Sequence, residues 1–518
     1  MKSRWAAHAL ATVAALAVLG TATPGGGTPV RPERPAPRTV EVQILGLKET
    51  NGQLVPTRRD GRLAGGAGVL GSYLAAAEAE NRRTLILDSG DFMQGPPISS
   101  YFQGASTVDV FNAMGVDAVA VGNHEFDWGI FTLAERIRQA DFPFLAANIV
   151  REGTGAPPAR IAPYAVFNLH GVKVGVIGLG NPDTKNVTLP AATEGLAFLD
   201  PAASTAAANA AVQQLRRRRV ETIVVLAHMG LETSTSGPLV EIVEGLSDQV
   251  DLVLGGNDPR EFNTVVGGIP VVQPYGNTAG YADVALTVDR VTRDVVAVRA
   301  ETRATWVEGV TPDRAVQAIV DRYQRKLRAA LSGVVGEART PIVRNLTAES
   351  EMGDLVTDAI RAYLPGVDFA FINAGAFRAD IDAGPITLEE IYAVQPFNNR
   401  LIVMDLTGAQ VIQVLEEGAA SRYGTVQVSG LRWSFDDDAP IGERVRSVSL
   451  PDGTPIDPAA TYRVATNDFM AAGGDQFATL TRGMNPVDTG KDPVDAIVAW
   501  LAAHSPVDPQ IDGRLTIL

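Results

Sequence analysis

Between residues 40 and 302, short runs of Val, Ile and Leu alternate with longer Ala- and Leu-rich stretches whose apolar residues recur at helical spacing. The short runs predict strands over residues 42–45, 84–87, 118–121, 173–177, 222–226, 250–254 and 271–274. The longer ones predict helices near 68–80, 107–114, 131–140 and 202–215. Alternating elements of this kind indicate an α/β layered domain, here spanning 39–305. Residues 311–331 then carry a cap, a proline at the first turn and apolar residues at helical spacing. They predict one amphipathic helix, set between two composition blocks as a linker over 306–335. Beyond it, 336–518 reads as a second, smaller α/β domain with its own glycine punctuation.

The amino terminus departs from this pattern. Lys2 and Arg4 precede an apolar stretch of about ten residues and then Gly20-Thr21-Ala22-Thr23, the layout of a cleavable secretory signal over 1–23. The Pro-, Gly- and Arg-rich residues 24–38 read as a disordered tether. Later apolar runs fall short of spanning length, so the expected location is secreted or periplasmic, with no membrane contact beyond the signal. There is no cysteine, which excludes disulfides, thiolate metal sites and a lipid-modified cleavage point. A net charge of −15 argues against a nucleic-acid polymer as partner and still admits a small phosphorylated ligand. The basic run Arg216 to Arg219 suits a solvated helix C-terminus.

Two predicted strands stop at chemistry. Residues 84–87 run into Asp88-Ser89-Gly90-Asp91, and 118–121 into Gly122-Asn123-His124-Glu125-Phe126-Asp127. Open α/β sheets place ligands at the carboxyl ends of their strands. Hard oxygen donors and an imidazole delivered there let one carboxylate, Asp91, bridge cations while Asn123 holds one of them and His124 faces the substrate.

Joined with Ala227-His228-Met229-Gly230, Asn373 to Arg378, Pro396-Phe397-Asn398, Gln427 to Gly430 and Phe469 to Asp475, these segments resemble the secreted bacterial 5′-nucleotidase family, which includes the periplasmic UDP-sugar hydrolases. The motifs fall in the family's order from about residue 42 to 477. The resemblance implies a four-layer α/β/β/α metallophosphoesterase domain, then a nucleotide-binding domain, with phosphate esters hydrolysed at two metals in the cleft between them. It implies Asp91 as bridging carboxylate, Asn123 and His228 as ligands of one metal, and His124 as the catalytic imidazole oriented by Asp127. On the second domain it implies Arg378 for phosphate, Phe397 and Phe469 as the pair that stacks the base, Asp475 for ribose hydroxyls, and Asn373 beside them. The partner is then a nucleotide or related phosphate ester.

The pattern breaks at two metal motifs. Where the family has Asn-Asp-x-His-Gly this chain has Lys48-Glu49-Thr50-Asn51-Gly52, and where it has Gly-Gly-His-x-His this chain has Gly255-Gly256-Asn257-Asp258-Pro259. The remaining donors are Glu49, Asp91, Asn123, Asn257 and Asp258, with His228 the one nitrogen. Such a set favours Mg²⁺, Mn²⁺ or Ca²⁺ over Zn²⁺, as one ion or two. Two readings stay open. One is a phosphohydrolase with one firm or two weaker hard cations; the other is a member that has lost turnover and serves in nucleotide binding or interaction.

Overall fold

A computed structural model describes residues 38–518; the expected signal and the tether up to residue 37 lie outside the described residues. The alternating runs form two sheets stacked face to face. The first orders its seven strands Val295–Ala304, Gly280–Asp289, Thr39–Leu47, Thr84–Asp88, Ala118–Ala120, Phe144–Leu145 and Ile161–Ala162. The second orders six: Phe262–Val266, Ile269–Gln273, Leu252–Gly255, Thr222–Ala227, Val172–Leu179 and Tyr164–Leu169.

Between them lies an aliphatic layer in which Ile44, Leu85 and Leu87 meet Val176, Val224 and Leu254. Alternate residues of the same strands turn outward. Leu45, Ile86 and Val119 pack under the helices Ala67–Glu80 and Ala105–Met114; Ile177, Ile223 and Val225 pack under Pro201–Arg217 and Pro238–Glu244. Burial on both faces is why these strands read as unbroken apolar runs. The layers are therefore α/β/β/α, as the resemblance implied.

The helix Arg314–Leu331 is docked along its length. Val316, Val320, Tyr323, Leu327 and Leu331 are buried in the first domain's core, and Arg322 and Tyr323 both bond Asp109, at 2.7 and 2.9 Å. Its cap is Asp313, whose carboxylate accepts from the Ala315 and Val316 amides, so Thr311 and Pro312 precede the helix and do not open it.

The second domain is built on a five-stranded sheet ordered Val426–Ser429, Phe369–Asn373, Thr461–Asn467, Leu401–Thr407 and Met484–Asp488. Glu351–Tyr363 and Pro493–His504 cover one face, and Gly408–Ala420 the other.

Register positions the site. Thr39–Leu47, Thr84–Asp88 and Ala118–Ala120 are mutually parallel, pairing Leu47 with Asp88 and Asp88 with Val119. In the facing sheet Ala227 pairs with both Leu179 and Gly255. Both sets of strand ends open on one edge, where the His228 ring meets the Ser89 carbonyl.

Candidate active site

Two glycines allow the strand-end loops to touch. A Cβ on Gly122 would lie 2.1 Å from Asp91 Oδ1, and one on Gly90, at φ 104°, would lie 2.8 Å from His228 Nδ1. Asp91 itself is held at φ 55°, a conformation that persists in a non-glycine residue only when its surroundings impose it. The imposing group is Glu125. Its buried carboxylate accepts the amides of Asp91 (2.8 Å), Phe92 (3.0 Å), Met93 (3.3 Å) and Gly122 (2.7 Å), stapling one loop to the other.

The Asp91 carboxylate is flanked by two imidazoles. Oδ1 accepts the His124 amide at 2.8 Å, and Oδ2 lies 2.9 Å from His228 Nε2. Burial works against its charge, yet His228 and His124 outweigh burial and hold its pKa down at about 2. His124 Nδ1 lies 2.8 Å from Asp127 Oδ2. Burial disfavours the imidazolium there too, but Asp127 and Asp91 push the His124 pKa up to about 9. Burial also raises the Asp127 carboxyl, against the pull of His124. With two carboxylates facing one ring, the proton stays on the imidazole. Burial and then the Asp91 charge lift Glu125 to about 7.

The residues expected to hold a cation with Asp91 are His228 and Asn123. Because a carbonyl only accepts, His228 Nδ1 donates to Ser89 O, at 2.9 Å. Its Nε2 is buried with no neutral hydrogen-bond partner and faces Asp91 Oδ2. That atom is either protonated against the carboxylate, with the His228 pKa raised to about 9 by Asp91 against the opposing effect of burial, or presents a lone pair beside it. A proton and a metal ion compete for such a place. Asn123 is buried, its Oδ1 accepting from Asn181 Nδ2 at 3.3 Å.

Three expected oxygen ligands behave otherwise. The Glu49 carboxylate is paired with Lys48 Nζ at 2.9 Å. The Asp258 carboxylate is turned to Arg260, accepting from its amide (2.9 Å), Nε (2.8 Å) and Nη2 (2.5 Å). Asn257 stands exposed on the cavity wall. Two of these three, Glu49 and Asp258, are thus paired with the protein's own cations, Lys48 and Arg260. Among the described residues, Asp91, His228, Glu49 and Asp258 do not form a group with metal-ligand spacing; the one group of three or more His, Asp or Glu that does is Glu349, Asp354 and Asp512, in the second domain. Arg514 already lies against it, 3.1 Å from Asp512 and 3.5 Å from Asp354.

Across the cleft the second domain completes a cavity of about 930 Å³. Arg378, Phe397, Phe469, Asn373 and Asp475 line it, opposite Asn123, His124 and Asp127. Phe397 stacks toward the His124 ring, centroids 6.2 Å apart, and Arg378 lies over the Phe397 ring at 5.6 Å. Phe469 lies flat on the turn at Gly474, where a Cβ would come within 2.4 Å of the ring. Asn373 donates to Asp475 Oδ2 at 2.7 Å and accepts from Asn467 at 3.1 Å; burial lifts Asp475 to about 6. At the mouth, Asp183 receives Arg422 Nη2 (2.5 Å) and the Tyr423 hydroxyl, tying the domains together.

Sequence reasoning missed Glu125, Lys48 and the Asp183 contact as structural parts of the site. Glu125 had a signal, an acid directly beside His124 at the end of an apolar strand. The other two depend on segments more than 200 residues apart.

Two stacked sheets that send polar residues from their strand ends into a cleft capped by a second α/β domain are the plan of a two-domain phosphoesterase. Residues 334–482 match the family model described as "5'-nucleotidase, C-terminal domain", and residues 79–257 match one described as "Bacterial capsule synthesis protein PGA_cap". The crystal structure of a 5'-nucleotidase precursor from Thermus thermophilus aligns with a TM-score of 0.80 and 30% identity, over 92% of this chain and 99% of that one. Endonuclease YhcR of Bacillus subtilis is 30% identical over 86% of this chain, which spans only 38% of YhcR's length. Cell wall protein Lmo0130 of Listeria monocytogenes is 29% identical over 96% of this chain and 71% of its own. The chain belongs to the 5′-nucleotidase family, hydrolases that act on phosphate esters, and members of that family use divalent metals.

Proposed function

We propose that the chain is an extracellular, metal-dependent phosphohydrolase that cleaves the phosphate ester of a nucleotide bound between its two domains. The observation that carries this reading is one cavity holding the His124–Asp127 pair beside Asp91 on one wall and Arg378 with two phenylalanines on the other.

Each residue then has a task that its chemistry allows. The Arg378 guanidinium grips two phosphoryl oxygens. Phe397 and Phe469 stack the base, and Asp475, oriented by Asn373, accepts ribose hydroxyls. His124, kept cationic by Asp127, has Nε2–H as its free donor. It stabilises charge on the phosphoryl group and hands a proton to the ester oxygen as the phosphorus–oxygen bond breaks. Water supplies the oxygen gained by phosphate, so the products are inorganic phosphate and a nucleoside. Asp91, His228 and Asn123 would hold a divalent ion, which when bound supplies a Lewis acid that activates water and offsets phosphoryl charge.

The similarity to an endonuclease does not shift the substrate to a polymer, because the net charge of −15 opposes a polyanion. An extracellular location rests on the expected signal and on kinship with a cell wall protein.

The test is phosphate release from AMP, UDP-glucose and an aryl phosphate, with Mg²⁺, Mn²⁺, Ca²⁺, Zn²⁺ or chelator, beside His124→Ala. Release above the variant in at least one metal is expected. Release no greater than the variant in every metal ends the hydrolase reading, and nucleotide binding by calorimetry then becomes the question.

A further inference from the structure

We infer that the Lys48 ammonium stands in for one of the two cations that the family's first and last ligand motifs would hold, leaving a site for a single divalent ion. The inference uses the hydrolase reading only to locate the site.

Lys48 has no solvent-exposed side-chain surface. Its Nζ lies 2.9 Å from the Glu49 carboxylate, donates to the Asp258 carbonyl, and is 3.4 Å from the Arg260 carbonyl. Three oxygens for three N–H groups satisfy an ammonium. Those oxygens come from the two motifs, some 210 residues apart, that have lost their imidazoles. The same segments border Asp91 and His228. The Glu49 amide donates to Gly90 O and the Asn51 amide to Asp91 O, both at 3.0 Å, and a Cβ on Gly256 would lie 3.2 Å from His228 Nδ1.

A divalent ion entering this half of the site would have to take Glu49 from Lys48, stranding a buried ammonium against a second positive centre. Asp258 offers no easy replacement, because Arg260 covers its carboxylate. His228 Nε2, 2.9 Å from Asp91 Oδ2, and the buried Asn123 remain for one ion.

The experiment counts ions. Chelator-treated protein is titrated with Mn²⁺, and bound metal is measured by mass spectrometry and electron paramagnetic resonance. One ion per chain with the six-line spectrum of an isolated Mn²⁺ is expected. Two ions with a coupled spectrum, or none, would overturn the inference. The double variant Lys48→Asn with Asn51→His restores the family's residues at those two positions and is expected to bring the count to two. A count still at one in folded double variant counts against Lys48 as the excluding group. Should that variant not fold, the wild-type count decides alone.

Phosphate release from AMP in the same samples separates the two readings. Two ions with release sinks this inference and leaves the hydrolase standing. One ion, with no release from any of the three substrates in any of the metals tested above, does the reverse.

Discussion

Replacing Asp127 by asparagine should lower the charge of His124 near and above neutral pH while leaving the ring in place. The raised pKa of His124, about 9 against 6.5 in the unfolded chain, corresponds to about 3 kcal/mol of preference for the imidazolium in the folded state. Both side chains are less than one fifth exposed, so solvent screening takes little of this. Because the folded pKa is raised, this stability is present in full below 6.5 and is lost as pH rises towards 9. Asparagine can still accept from Nδ1–H but carries no charge, so Asp91 alone opposes burial and the ring's pKa falls from about 9 towards 6.5. At pH 8 the protonated fraction should fall from roughly nine tenths; the limit, reached if the pKa returns fully to 6.5, is a few per cent, about a thirtyfold loss of the acid form. The direct assay is ¹⁵N-histidine NMR of chelator-treated protein, which has five histidines in all, with His124→Ala assigning the signal. Urea unfolding between pH 6 and 9 should show a steeper loss of stability in wild type than in the variant. If His124 in Asp127→Asn still titrates near 9, Asp127 is not what holds the proton and the reasoning fails.

Other perturbations separate the walls of the cavity. Phe397→Ala should raise KM for AMP roughly fivefold to a hundredfold, the range for one lost base stack, with little change for glycerol phosphate; an equal rise for both would exclude stacking. Arg378→Lys keeps the charge and loses the planar fork, so kcat/KM for AMP should fall about tenfold or more, and unchanged kinetics would remove Arg378 from phosphate binding. Gly122→Ala drives a methyl group to within 2.1 Å of Asp91 Oδ1, so Mn²⁺ affinity and melting temperature should both drop, and wild-type values for both would contradict the packing described. Asp183→Ala removes the acceptor shared by Arg422 and Tyr423; the radius of gyration by X-ray scattering should rise, and an unchanged value would mean this contact does not hold the cleft closed.

Much of this architecture is local and therefore legible in the chain. The run 85–87 is apolar throughout because its residues are buried on both faces, and the strand Thr84–Asp88 is built around it. Asp91 and His124 follow strands that stop abruptly, and parallel pairing brings such ends to one edge. The helix Arg314–Leu331 was legible from its period, but its docking on the first core was not, since periodicity identifies an apolar face without naming what covers it. Phe397 and Phe469 were ambiguous for the same reason. Aromatic residues beside apolar runs look alike whether they fill a core or line a cavity.

The sequence by itself determined the layered α/β plan, the second domain and the identity of the residues at the strand ends, because each depends on periodicity and on neighbours a few positions away. Only the tertiary structure decided what those residues face. Glu125 turns inward to four backbone amides, and Arg260 covers the Asp258 carboxylate. Lys48 reaches a carbonyl some 210 residues distant. A charge finds its partner through the stacking of whole sheets, so the sequence could name the ligands that were missing but not the ammonium that stands among those that remain.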